Sequence, residues 1–131
     1  SPGLNMLFGH IGDNRDTLNA AVNFLIKYDD GAQMRTIRPV TPYPGSPLYD
    51  YAIGNGMIKD VEDFYLNKHL NSDLFAVNFT DLSEDDLYSE LMNANIKLVE
   101  NYFENKKKLM SDQIKQLYMN RDKTFRGFRH T

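Results

Sequence analysis

The run Thr41-Pro42-Tyr43-Pro44-Gly45-Ser46-Pro47-Leu48-Tyr49 holds three prolines and a glycine in nine residues. No regular helix or central strand accommodates it, because each proline fixes φ and lacks an N–H donor. The residues before the prolines, Thr41, Tyr43 and Ser46, are pushed toward extended geometry. The segment is therefore a stiff, shaped loop. Residues 34–40 before it read as a strand. A helix is expected from Pro47 to about Asn55, with Ser46 as N-cap and Gly54 or Gly56 as its stop. A rigid loop at the C-terminal end of a strand is where α/β folds keep their ligand contacts.

The chain length of 131 residues suits one domain with a modest core. No stretch approaches the roughly 20 apolar residues of a membrane span, and no signal peptide is visible at Ser1-Pro2-Gly3. That start, without methionine, reads as a cut from a longer chain. The absence of cysteine removes disulfides, thiolate nucleophiles and thiolate-bound clusters from this chain. The histidines, His10, His69 and His130, show no metal-ligand spacing. The net charge of −3 hides an acidic portion, 1–103, and a basic end, 104–131. Asp112 and Asp122 interrupt that end, which reads as a solvated helix face and tail; no nucleic-acid partner is expected.

Residues 5–8 read as a short strand, turned by Phe8-Gly9-His10-Ile11-Gly12. Asp13 or Asn14 caps the next helix. Leu18, Ala21, Val22, Leu25 and Ile26 follow the amphipathic spacing, which predicts a helix to about Tyr28, stopped near Gly31. The order strand, helix, strand predicts a parallel pair with a right-handed crossover. Residues 71–81 read as irregular. Ser83 and Asp86 resemble a capping box. Behind them Leu87, Leu91, Ala94, Leu98 and Tyr102 form a helical packing stripe, which Tyr88, Met92, Val99 and Phe103 widen. This helix is expected to reach Leu109, and 112–118 either continues it or restarts at Ser111.

Gly9-x-x-Gly12 falls where a strand gives way to a helix, so it permits close backbone approach to a ligand beside free N–H groups. Many such turns carry two glycines only to reverse the chain. Asp13 either accepts from a ligand hydroxyl or amine or caps the helix. His10 is either an acid–base group or a surface histidine. Arg38 either meets a ligand carboxylate or sits in an internal ion pair. Tyr43, Tyr49 and Tyr51 wedge the proline loop onto the core.

Two segments together resemble the radical S-adenosylmethionine (SAM) superfamily. The nearer likeness is to its cobalamin-binding-domain-containing branch, the anaerobic magnesium-protoporphyrin IX monomethyl ester cyclase-like proteins. The first segment is Met6-Leu7-Phe8-Gly9-His10-Ile11-Gly12-Asp13-Asn14; the second is 41–49, with Ser46 where threonine is common. Ile11 replaces a usual proline, and Asp13 replaces a usual glutamate, shortening the carboxylate's reach by one methylene. The likeness covers roughly residues 3–58, with a fainter echo in Phe125-Arg126-Gly127-Phe128-Arg129.

The resemblance implies that the two strands are the fifth and sixth of a partial (β/α)6 barrel. It implies a SAM-facing wall drawn from Gly9, Gly12, Asp13, Arg38, Thr41 and Pro42. The cofactors it implies for a parent enzyme are SAM, a [4Fe–4S] cluster and, in members that carry the domain, cobalamin. The cysteine triplet of that family lies upstream of the matching segments. On this reading 1–58 is the C-terminal part of the barrel, 59–82 connects, and 83–131 is a helical C-terminal region. The stretch would be an inactive C-terminal fragment of a cytoplasmic enzyme. Its partners would be the rest of that enzyme, a small-molecule substrate, and further copies of itself that shelter two otherwise lone strands. The alternative is a non-enzymatic helical interaction module in which the proline loop is structural.

Overall fold

The computed structural model describes residues 6–121 and 123–125. The expectations for Asn5, for 126–129 and for His130 fall outside them. The chain runs β1 (Leu7–Phe8), α1 (Arg15–Tyr28), β2 (Arg38–Pro39), α2 (Pro47–Gly54), α3 (Val61–Asp63) continuing into a π-helical turn (Phe64–Lys68), and α4 (Glu84–Asn120).

The strand pair is parallel, with Leu7 opposite Arg38 and Phe8 opposite Pro39. Arg38 N–H donates to Met6 O at 3.2 Å and Val40 N–H to Phe8 O at 2.9 Å. The expected fold class is nevertheless overturned. Helix accounts for 56% and strand for 3%, in a single two-stranded sheet, and no partial β/α barrel is present among the described residues. The strand expected over 34–40 shrinks to two residues. The physical reason lies at the outer edge of β2. There Ile37 N–H donates to Asn95 Oδ1 at 2.7 Å, and Asn95 Nδ2 donates to Ile37 O at 3.0 Å. A side-chain amide of α4 thus occupies the backbone edge of β2 on the side away from β1. It satisfies both backbone groups and covers an edge that would otherwise invite pairing.

Helix α1 forms where its spacing predicts. Asn14 Oδ1 accepts from Thr17 N–H at 3.0 Å, and Thr17 Oγ1 accepts from Asn14 N–H at 2.9 Å, a reciprocal cap. Leu18, Val22 and Leu25 are buried from this helix. They pack with Phe8, Ile37 and the α4 stripe Leu87, Leu91, Ala94 and Leu98. The helix after residue 83 therefore completes the core of the strand–helix–strand unit. Each of these side chains except Ala94 contributes roughly 1.5–3 kcal/mol on burial. A second cluster joins Leu48, Ala52, Ile58, Phe64 and Phe79.

Ser83 Oγ caps α4 by accepting from Asp86 N–H at 3.1 Å. The helix continues unbroken for 37 residues, about 55 Å at 1.5 Å per residue. It reaches Leu109 as expected and continues through 112–118, the first of the two alternatives, with no restart at Ser111. Met92 and Phe103 do not widen the buried stripe as expected; they are 56% and 59% exposed.

Asp63 stands at the junction of α3 and the π turn. Its carboxyl is held below its ordinary value first by the Lys59 N–H donor and next by Asn67 Nδ2. A carboxylate with a lowered folded-state pKa contributes stability above its unfolded value and loses it as pH falls through the folded value. Acidification below the ordinary aspartate range is therefore expected to loosen the turn at 59–68 before the α1–α4 core. Residue-resolved amide exchange across a pH series checks it; equal protection of both regions throughout would contradict it.

Candidate functional site

Both motif loops leave the sheet at one end, since Val40 is bonded to Phe8 and Gly9 and Thr41 are the next residues. The structure thus brings the Gly9–Gly12 turn and the proline loop side by side. Gly9 and Gly12 adopt φ of +106° and +86°, a region that side chains rarely enter.

The two glycines differ in surroundings. A Cβ on Gly9 would lie 2.5 Å from Phe75 Cε1, so the close neighbour there is the protein's own ring. A Cβ on Gly12 would meet nothing within 4 Å, and the backbone is open to an outside group.

Asp13 is committed to the turn. Its Oδ2 accepts from Gly9 N–H at 3.0 Å and His10 N–H at 2.9 Å, while Oδ1 accepts from Thr17 Oγ1 at 3.0 Å. The cap itself is Asn14, and Asp13 braces the turn ahead of it. Arg38 lies three residues before Thr41 on an exposed surface, where Nη2 donates to Asp73 Oδ1 at 3.1 Å and Ser72 Oγ at 3.2 Å.

Pro42 is fully buried and Thr41 half-buried. Thr41 O accepts from Tyr43 N–H at 3.0 Å. Ser46 Oγ donates to Tyr43 O at 2.7 Å and accepts from Tyr49 N–H at 3.1 Å, so the loop is locked by its own polar groups and caps α2. Tyr43 and Tyr49 place ring edges on Phe64 at centroid distances of 6.1 and 6.2 Å. This is the wedging that the tyrosine placement predicts.

Sequence reasoning missed three residues here. Phe75 fills the space above Gly9, Asn95 holds the edge of β2, and His69 joins the proline loop. The His69 ring stacks on Phe64 at 5.3 Å and meets Tyr43 edge-on at 5.3 Å. Its buried Nδ1 has no hydrogen-bond partner among the described residues. A histidine following an aromatic-rich turn was the available signal for the last. Phe75 and Asn95 gave none, because their roles depend on partners far along the chain.

An iron–sulfur cluster does not fit this chain. It has no cysteine, and no group of three His, Asp or Glu able to hold a metal occurs among the described residues. The backbone at Gly12 is open, whereas the Asp13 and Arg38 contacts serve the protein itself. A cleft of about 170 Å3 lies elsewhere, bounded by Asp29, Arg35, Asn101 and Lys106. That is toward the N-terminal end of β2, away from the two loops. No described helix is long and apolar enough to cross a membrane. No protein-family model, curated protein or solved structure matches the chain.

Proposed function

We propose that the chain is the C-terminal part of a radical SAM enzyme of the cobalamin-binding-domain-containing branch and supplies part of its SAM-facing wall. The observation that carries this reading is the convergence of two loops. The glycine turn and the proline loop, about 30 residues apart in sequence, emerge together from a parallel strand pair. Within that wall Gly12 offers open backbone and half-buried Thr41 the border, while buried Pro42 stiffens the loop behind it. The [4Fe–4S] cluster of the class supplies the electron that cleaves SAM, and its thiolates would come from elsewhere in the parent. This stretch alone is thus inactive. The parent is read as a cytoplasmic enzyme acting on a small molecule. Cobalamin belongs to the same reading, through a domain of the parent outside this stretch.

Gly12→Val in the parent tests the reading. A β-branched side chain resists positive φ at a cost of about 1–3 kcal/mol, yet nothing in this structure blocks its Cβ. The expected result is a folded variant whose SAM affinity, measured by calorimetric titration, falls at least about tenfold, which is 1.4 kcal/mol. Unchanged affinity in a folded variant means that the turn does not face SAM.

A further inference from the structure

Helix α4 carries two apolar stripes, and the fold uses one. Met92, Ile96, Phe103, Met110 and Ile114 are 56, 48, 59, 42 and 43% exposed. With half-buried Val99 they recur at spacings of three and four and lie roughly 130° around the helix from the buried stripe. Such a run has the spacing of a helix-pairing seam.

The helix is also electrically divided. Residues 84–104 hold six carboxylates and one lysine, and 106–121 hold five cations and one carboxylate. A parallel copy would set like charge against like. An antiparallel copy sets each acidic half against a basic half, and one register satisfies the seam as well. With Phe103 on the two-fold axis, Ile96 and Met110 are each seven residues away, and Met92 and Ile114 each eleven. In that register Ile96 of one copy meets Met110 of the other, and Met92 meets Ile114. Glu100 falls beside Lys106 and Lys107 of the second copy. Asp85 and Arg121, each eighteen residues from Phe103, close the two ends. Lys107, which interrupts the stripe, falls opposite Val99 in that register, where its stem would lie along the seam and its ammonium reach toward Glu100.

We infer that this face of α4 binds a second copy of the chain, antiparallel, in an isologous two-fold dimer centred on Phe103. The seam from Met92 to Ile114 is about 33 Å long by helical rise. This inference is independent of the SAM reading, because none of these residues belongs to the loop end of the sheet.

The test uses the full 131-residue chain at micromolar concentration, with mass measured by light scattering after size exclusion. The expected mass is twice 15.2 kDa. Ile96→Asp and Met110→Asp, both at exposed positions, are expected to give folded monomers with unchanged helical circular dichroism. The natural lack of cysteine allows an orientation test: chains with Met92→Cys are mixed with chains with Ile114→Cys and treated with a short thiol cross-linker. A mixed product is expected, with little of either self-product. A monomer at every concentration, a dimer indifferent to both Asp variants, or self-products alone would each overturn the inference.

Discussion

Asn95→Leu is expected to lower the unfolding free energy by about 2–5 kcal/mol, because it strips two backbone groups of their partner at once. Asn95 is half-buried on α4 and exchanges both hydrogen bonds with Ile37, which is 1% exposed. Leucine has the same number and branching of side-chain heavy atoms and a better helix propensity, so helix formation does not account for the loss. What remains is an orphaned N–H and an orphaned C=O beside an apolar side chain, each costing roughly 1–3 kcal/mol. The variant should also aggregate, since the edge of β2 becomes a template for another strand. Asn93→Leu, the same change at an exposed position two residues away on the same helix, is the control and should stay within about 0.5 kcal/mol. Urea unfolding with scattering recorded in parallel measures both effects. Equal midpoints for the two variants would show that the amide bridge contributes nothing.

That bridge also shows where the sequence stops being readable. Helix α1 was legible because its determinants are local: the Asn14–Thr17 cap and the Leu18, Val22 and Leu25 stripe lie within one segment. The Ser46 and Ser83 caps were legible for the same reason. The parallel direction of the strand pair followed from the helix between them. The extent of the sheet did not. Whether 34–40 continues as a strand depends on what lies beside it, and Asn95 is 58 residues away. The expectation of a barrel came from motif likeness in the two loops, which reports loop shape and says nothing of the neighbours at each sheet edge. Helix α4 misled in another way. Periodicity found the core stripe of Leu87, Leu91, Ala94 and Leu98 but merged with it Met92 and Phe103, which belong to a second, exposed stripe. At the candidate site the loop positions were readable, since glycine and proline declare their backbone geometry. The commitments of Asp13, to Gly9, His10 and Thr17, and of Arg38, to Ser72 and Asp73, were not.

Gly9 makes the same point quantitatively, and the expected result separates strain from crowding. Gly9→Ala puts a Cβ at φ +106° and 2.5 Å from Phe75 Cε1. The backbone term is about 1–3 kcal/mol, and forcing the ring aside adds about 1–3 kcal/mol of overpacking. The ring is not free to swing, because it meets Tyr88 edge-on at 5.3 Å and the Phe75 backbone N–H donates to the Tyr88 hydroxyl at 3.0 Å. Phe75→Ala alone removes a half-buried ring that packs on the main core and should cost no more than the roughly 3–5 kcal/mol of a buried phenylalanine. In the double variant the clash disappears while the positive φ remains. The pair is therefore expected to be more stable than additivity predicts, by about 1–3 kcal/mol, a coupling of the size seen for residues in contact. Gly12→Ala, equally positive in φ but with open space around its Cβ, should show only the backbone term and no coupling to Phe75. A double-mutant cycle by chemical unfolding reads all of these. Strict additivity at Gly9 and Phe75 would mean that the ring yields without cost, and that Gly9 is required there for its φ alone.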